Sequence, residues 1–312
     1  MKPEILLIEP MMPEVEAQLD AAYQVHRLFA QSNPSALIAE VGPRIRAIVT
    51  GGGLGASDEL IDALPALEII AINGIGTDAV DLERARARGV RVTTTPDVLT
   101  DDVADMAIAL MLAVARRLCP GDRFVREGRW PGGHVPLGRK LTGKRLGILG
   151  LGRVGRAIAR RAEGFAMAIT YTDLRSVEGV AYHYHSTLEA LARASDFQAV
   201  AASGGPGSRG IVNAAVLDAL GPEGVLVNVA RGSIVDEPAL VAALSAGRLG
   251  GAGLDVFAHE PEVPSALRQM ENVVVEPHQA SATVETRRAM AELVLRNLEA
   301  QFAGREPPTA VV

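Results

Sequence analysis

The run Gly150-Leu151-Gly152-Arg153-Val154-Gly155 constrains this chain more than any other stretch. It sits where an apolar segment, Arg145 to Leu149, hands over to a helix-forming segment near Arg153. Three glycines at this spacing each have a separate task. The first permits a tight turn, the second lets the backbone approach a pyrophosphate, and the third lets helix pack closely on strand. The helix N-terminus then faces the phosphates. Glycines also recur by chance in a chain with 32 of them, so the discriminating residue lies downstream. Asp173 ends the next apolar run, Ala168 to Tyr171. A carboxylate there can accept hydrogen bonds from an adenosine ribose. The two signals together predict a nicotinamide dinucleotide site.

A chain of 312 residues with 48% hydrophobic residues can bury the cores of two domains. Its net charge is −6 and no Lys/Arg run exceeds two residues, so neither a nucleic acid nor an anionic membrane is an expected partner. Small molecules are. The amino end has no apolar stretch long enough for the core of a signal peptide. The longest uncharged apolar stretch, Met106 to Ala115, is about half of what a bilayer requires. With one cysteine, Cys119, no internal disulfide and no thiolate metal cluster can form, which fits a reducing cytoplasm.

From Ile5 to Val92, apolar runs (Ile5 to Ile8, Ala47 to Val49, Glu68 to Ala71, Val90 to Val92) alternate with helical patterns such as Asp58 to Leu64 and Asp81 to Arg88. This rhythm predicts a parallel sheet wrapped by helices. Two glycine-rich loops, Thr50 to Gly55 and Asn73 to Asp78, follow neighbouring strands at their carboxyl ends, where such sheets bind ligands. Their exposed backbone N–H groups suit an anion. Thr95-Pro96-Asp97 breaks the first lobe. Thr100 is then expected to cap a helix whose residues Val103, Met106, Ala107, Leu110, Met111 and Val114 recur at core spacing. Pro120 to Leu137, with the only tryptophan, Trp130, is expected to form an irregular arm.

Beyond the glycine run, helices over Thr187 to Ala194, Asn213 to Leu220 and Glu237 to Ala246 separate strands over Gln198 to Ala202, Val225 to Val229 and Gly251 to Val256. A second doubly wound sheet follows. A last strand, Val273 to Val275, precedes Glu276-Pro277-His278, and a helix from about Thr283 to Gln301 returns to the first lobe. The fold class is therefore α/β with two doubly wound parallel sheets, a Rossmann-type nucleotide domain at 100–282 and a flavodoxin-like domain at 1–99 with 283–312.

Reducing a 2-oxo acid takes a hydride donor, a proton donor and a cation for the carboxylate. Histidine beside a carboxylate suits the proton, and arginine suits the forked oxygens. Arg231, Glu260 and His278 each follow a different strand of the second sheet, on one side of it. His183 and His185 alternate with tyrosines, but no third ligand at useful spacing makes them a metal site.

The order Gly150-x-Gly152-x-x-Gly155, Asp173, Val229-Ala-Arg231-Gly, Gly253-Leu-Asp255-Val-Phe, Glu260-Pro and Pro277-His278 resembles the D-isomer-specific 2-hydroxyacid dehydrogenases over essentially the whole chain. Thr95 to Asp105 and Val284-Glu-Thr-Arg287 resemble the glyoxylate/hydroxypyruvate and hydroxyphenylpyruvate reductase branch most closely. The resemblance implies reduction of a small 2-oxo acid to the D-2-hydroxy acid by NADH or NADPH. It implies Arg231 as the substrate-orienting arginine, Glu260 as the acid paired with the histidine, and His278 as the proton donor. Backbone groups at Gly52, Gly53, Ile75 and Gly76 would hold the substrate carboxylate, and the cleft between the lobes would close over the ligands. Cofactor contacts would come from Gly150, Gly152, Arg153, Val154, Gly155, Asp173, Ala230, Asp255 and Ser281, with Asp255 meeting the nicotinamide carboxamide. A homodimer built through the Trp130 arm is also implied.

Two departures stand out. Ser203-Gly204-Gly205-Pro206-Gly207 replaces the family's usual loop after the third nucleotide-domain strand, and Gln279-Ala280-Ser281 follows the histidine in place of an apolar residue and glycine. At the ribose position this chain has Asp173-Leu174-Arg175. The ionised aspartate predicts a preference for NADH, and Arg175 leaves NADP open. Two alternatives of different kind remain. One is an NAD(H)-sensing, corepressor-like scaffold of the same fold. The other is phosphoglycerate dehydrogenase, which the absence of Lys and Arg from the loops at 50–55 and 73–78 disfavours.

Overall fold

The computed structural model describes residues 2–312. These fall into two compact units, one formed by Met1–Leu99 with Ala282–Val312 and the other by Thr100–Ser281.

The first unit is a five-stranded parallel sheet of β1 (Glu4–Leu7), β2 (Gln24–Arg27), β3 (Ile45–Gly51), β4 (Ile69–Asn73) and β5 (Arg91–Thr93), in the order β2-β1-β3-β4-β5. That is the flavodoxin-like order, whose ligands lie outside the carboxyl ends of the strands. Helices α1 (Pro13–Ala22), α2 (Pro34–Val41), α3 (Asp58–Asp62) and α4 (Leu82–Ala87) connect the strands. The side chains of Asn33, Ser57 and Asp81 cap the last three. One face of the sheet packs Ile48, Ile70 and Val92 against α2 to α4, and the other packs Ile5, Leu7, Val49 and Ala71 against Val294 and Leu298. Those last two belong to a C-terminal helix described below.

The second unit holds seven parallel strands, β6 (Arg145–Leu149), β7 (Ala168–Thr172), β8 (His183–Tyr184), β9 (Phe197–Val200), β10 (Val225–Asn228), β11 (Gly251–Leu254) and β12 (Val273–Val275), ordered β12-β11-β10-β9-β6-β7-β8. Strand order reverses at β6/β9, the crevice where a doubly wound sheet takes a dinucleotide. The unit opens with α5 (Thr100–Ala115) and α6 (Leu118–Arg126) and continues with α7 (Arg153–Glu163), α8 (Leu188–Arg193), α9 (Ala214–Leu220), α10 (Glu237–Ser245) and α11 (Ser265–Gln269). The Gly-Ala-Gly-Leu sequence of β11 has a packing reason. A Cβ at Gly253 would lie 2.9 Å from Leu110 Cβ and one at Gly251 2.8 Å from Val114 Cγ1, so the glycines let α5 lie close on the strand. The chain then returns to the first unit, where α12 (Val284–Phe302) covers β4 and Ala310 bridges to Thr93.

Two local expectations need correction. Thr100 does not cap α5 with its side chain; it is the first helical residue, and its Oγ1 is buried without a hydrogen-bond partner. The Pro120–Leu137 segment is not irregular throughout, because α6 runs to Arg126. Pro120 falls in the first turn of that helix, where its missing N–H breaks no intrahelical bond.

Candidate active site

In the second unit one register row closes the sheet. Leu149, Val200, Asn228 and Leu254 pair across it in turn, and Val275 pairs with Leu254. Gly150, Arg231, Asp255 and His278 all follow that row within three positions, and Glu260 lies six beyond it. The topology therefore delivers these residues to one edge of one sheet, although the sequence spreads them over 129 positions.

At Gly150 the backbone has φ +89°, and a Cβ would fall 2.6 Å from Ala202 Cα. At Gly155 a Cβ would fall 2.1 Å from the Gly150 carbonyl oxygen. These two glycines are required by the protein's own packing. Gly152 is not: a Cβ there would meet nothing within 4 Å. It precedes Arg153 and Val154 at the start of α7, whose N-terminus has no side-chain cap. An uncapped helix end behind an open glycine is what a pyrophosphate needs, so the loop fits the cofactor that its sequence implies. Asp173 ties in the far side. Its Oδ2 accepts from Leu151 N at 2.8 Å and its Oδ1 from Leu174 N at 2.7 Å, while Leu174 and Arg175 are exposed.

The proton-handling pair is built from two loops. Nδ1 of His278 lies 2.7 Å from Oε2 of Glu260, and Oε1 of Glu260 accepts from Phe257 N at 3.0 Å. Burial is the largest influence on Glu260 and pushes its carboxyl up. The His278 hydrogen bond, the Phe257 amide and the charges of His278 and Arg231 outweigh it together, so the group is held below the ordinary glutamate range. An ionised carboxylate only accepts, so Nδ1 carries the proton that joins the pair, and Nε2 is the ring nitrogen left outside it.

His278 adopts φ +54°, a left-handed conformation that a residue with a Cβ occupies only when its surroundings hold it there. Asp255 does the holding. Its carbonyl accepts from His278 N at 2.8 Å, and its fully buried carboxylate accepts from Gln279 N at 2.7 Å and Ala280 N at 3.0 Å. Burial raises the Asp255 carboxyl, opposed by those two amides and by the His278 charge. Both oxygens expected to meet the nicotinamide carboxamide are thus committed to the backbone that shapes the His278 loop. Ser281, partly exposed, ends that loop.

Arg231 leads a short turn after β10, and its Nη1 donates to the Ala230 carbonyl at 2.7 Å. The turn is locked from beneath by Asn228, which is 1% exposed. Its Oδ1 accepts from Ala230 N at 3.1 Å and its Nδ2 donates to the Arg231 carbonyl at 2.9 Å. A Cβ at Gly232 would lie 1.9 Å from the Phe257 carbonyl carbon, so this glycine is where the Arg231 loop rests on the Glu260 loop. Glu237 at the start of α10 adds a hydrogen bond from Ala258 N at 3.1 Å. Asn228, Gly232 and Glu237 were not singled out in the sequence. Of the three, only Gly232, a glycine beside a strand-end arginine, carries a local signal.

In the first unit Gly52 and Gly76 abut, with a Cβ at Gly52 falling 3.1 Å from the Gly76 oxygen. The two glycine-rich loops therefore form one continuous edge. Gly53 is open, and Leu54 and Ile75 beside it are exposed. Among the described residues, no three His, Cys, Asp or Glu side chains converge on a common point, and no helix is long and apolar enough to cross a membrane.

Residues 108–280 match the family described as D-isomer specific 2-hydroxyacid dehydrogenase, NAD binding domain. The chain belongs to that family. It is 50% identical over 308 residues to the hydroxyphenylpyruvate reductase of Plectranthus scutellarioides, covering 99% of this chain and 98% of that one. The 2-ketogluconate reductase of Gluconobacter oxydans is 46% identical over 311 residues, covering 100% and 99%. Among solved structures, the NADPH-dependent glyoxylate/hydroxypyruvate reductase of Sinorhizobium meliloti in complex with NADP and malonate superposes with a TM-score of 0.92 at 44% identity, covering 100% and 97%. This dehydrogenase thus shares its fold over its full length with the Sinorhizobium meliloti enzyme, and the three reductases are named for oxo acids that range from two-carbon glyoxylate to nine-carbon hydroxyphenylpyruvate.

Proposed function

We propose that the protein reduces a small 2-oxo acid to the corresponding D-2-hydroxy acid at the expense of a nicotinamide dinucleotide, with glyoxylate and hydroxypyruvate among its substrates. The observation that carries this reading is the His278–Glu260 pair at 2.7 Å, at the same sheet edge as Arg231 and the Gly150–Gly155 loop. A bound nicotinamide supplies the hydride. The chain's own residues do the rest. The α7 N-terminus and Gly152 take the pyrophosphate, and Asp173 takes the ribose. The amides of Gly52, Gly53, Ile75 and Gly76 receive the substrate carboxylate. Arg231 orients that carboxylate and polarises the C2 carbonyl. His278 donates the Nε2 proton to the carbonyl oxygen as hydride reaches C2, and the imidazole left neutral keeps its Nδ1 hydrogen bond to Glu260.

The names of the relatives support this class of substrate. The test is consumption of NADH or NADPH with glyoxylate and hydroxypyruvate, followed by chiral analysis of the glycerate formed. Neither cofactor being consumed with any 2-oxo acid would leave the NAD(H)-sensing scaffold as the better account, and L-glycerate would reverse the assigned geometry.

We also infer a homodimer in the cytoplasm. Leu118 and Val125, one above the other on α6, are 55% and 54% exposed, and Trp130 and Leu137 beyond it are 65% and 97% exposed. So much apolar surface on one short segment suits a subunit contact. Light scattering should give twice the 32.8 kDa chain mass, and a mass that stays at one chain over a wide concentration range would overturn it.

A further inference from the structure

Glu9 stands just past β1, beside the Gly51–Gly55 loop, and the chemistry described so far does not use it. Its carboxylate lies against Gly51, where a Cβ would fall 2.0 Å from Glu9 Oε1. Gly51 is buried and pairs in register with Asn73 of β4, so Glu9, Gly51 and Asn73 occupy one level of the sheet's carboxyl edge. This is the edge that carries the two glycine-rich loops. Glu9 is partly buried, and among the described residues its carboxylate has no hydrogen-bond or ion-pair partner. Burial raises its carboxyl, and the charge of Arg287 on α12 opposes the rise without reaching ion-pair distance. Asn73 adds to the imbalance, since its buried Oδ1 also lacks a partner.

A buried acceptor without a donor, as at Asn73 Oδ1, is costly and rare in proteins, and the Glu9 carboxylate beside it has no protein donor while staying open to solvent. Here the missing partner is a donor. A carboxylate also repels a second anion, and an aliphatic tail would strip it of water with nothing in return. The exposed Leu54 and Ile75 give the loops an apolar rim, against which Glu9 adds a charged acceptor able to tell a hydroxylated tail from a plain one, next to the neutral acceptor of Asn73.

We propose that Glu9 is a specificity-determining residue that accepts hydrogen bonds from hydroxyl groups on the substrate tail beyond C3, which selects polyhydroxylated 2-oxo acids over aliphatic 2-oxo acids and 2-oxo diacids. The inference rests on the 2-oxo acid reductase reading given above. It adds the substrate class and the residue that sets it.

The experiment measures kcat/KM on the full-length enzyme with glyoxylate, 2-keto-D-gluconate, 2-oxohexanoate and 2-oxoglutarate, for the unaltered protein, Glu9→Gln and Glu9→Leu. In the unaltered enzyme 2-keto-D-gluconate should exceed both six-carbon and five-carbon competitors. Glu9→Leu should lower the ratio of 2-keto-D-gluconate to glyoxylate by at least about tenfold and raise the ratio of 2-oxohexanoate to glyoxylate. The near-isosteric Glu9→Gln, which removes charge with little change of shape, should raise the ratio of 2-oxoglutarate to glyoxylate. Ratios that stay within twofold in both variants overturn the role of Glu9 while leaving the reductase reading intact. No turnover of glyoxylate or any other acid by the unaltered enzyme overturns the reductase reading and this inference with it.

Discussion

His278 and Glu260 are joined by a 2.7 Å contact between Nδ1 and Oε2, and the second oxygen of Glu260 is held by the Phe257 amide. The imidazole is therefore oriented by a carboxylate that is itself anchored to backbone, which fixes Nε2 as the only ring atom free to move a proton. His278→Ala is expected to lower turnover by about 100-fold to 10,000-fold, the usual contribution of a positioned acid. Cofactor affinity, measured by fluorescence titration, should change little because Gly152 and Asp173 follow other strands, β6 and β7. Turnover near that of the unaltered enzyme would remove His278 from the chemistry.

Glu260 sits below the ordinary glutamate range, and this has a sign that can be tested. A carboxyl depressed in the folded state stabilises the protein above its unfolded value and loses that contribution as pH falls through the folded one, so the window lies below about pH 4.3. Glu260→Gln has no proton to take up there. The difference in Tm between the unaltered protein and the variant should shrink as pH is lowered from 6 to about 3. A difference that is constant with pH would mean that the pair contributes nothing through its charge.

Asp255 is a positioning residue in this structure. Its fully buried carboxylate accepts from Gln279 N and Ala280 N, and its own carbonyl accepts from the amide of the left-handed His278. Asp255→Asn turns an NH2 group toward one of the two amides, which leaves a buried donor unpaired at a cost of about 1–3 kcal/mol. A lower Tm is expected, together with a loss of turnover that exceeds any loss of cofactor affinity. A variant with unchanged Tm and kcat would show that the His278 loop holds its shape without this carboxylate.

What the sequence made legible follows from how local each requirement is. The fingerprint could be read because all three glycines answer to one turn and one helix start. Asp173 could be read because one strand carries it to the same edge. The pairing of Glu260 with His278 has no such local mark, since 18 positions and a strand separate them, and the resemblance to a family supplied it. Asn228 was missed because a buried asparagine beneath a turn looks like any strand-end polar residue. β2, with the sequence Gln-Val-His-Arg, was missed for a different reason: an edge strand with one apolar residue has no alternation to detect. α1 offers only Val15 and Leu19 to the core, too few for a helical period to stand out. Glu9 carries no signal at all in one dimension, since its meaning comes from the strand beside it.

The last expectation concerns the cofactor, where this chain and one of its relatives part. The Sinorhizobium meliloti reductase is NADPH-dependent, whereas here the carboxylate of Asp173 follows β7, where we propose that the ribose lies, with Leu174, 101% exposed, beside it. A 2′-phosphate of charge near −2 would be repelled by Asp173, while both ribose hydroxyls of NADH can donate to it. Arg175 is exposed and one position further on, so it is the one nearby cation on this loop able to offset the repulsion. NADH should be preferred in kcat/KM by at least about tenfold, which takes only about 1.4 kcal/mol. The carboxylate also anchors Leu151 N, so a simple deletion would confuse charge with loop geometry. Asp173→Asn separates the two, because it keeps an acceptor for that amide and removes the charge. NADPH should gain in the variant and NADH should lose little. Adding Arg175→Ala to that variant should cancel the gain. A preference for NADPH in the unaltered enzyme would show that Arg175 outweighs the carboxylate and that ribose selection lies outside Asp173.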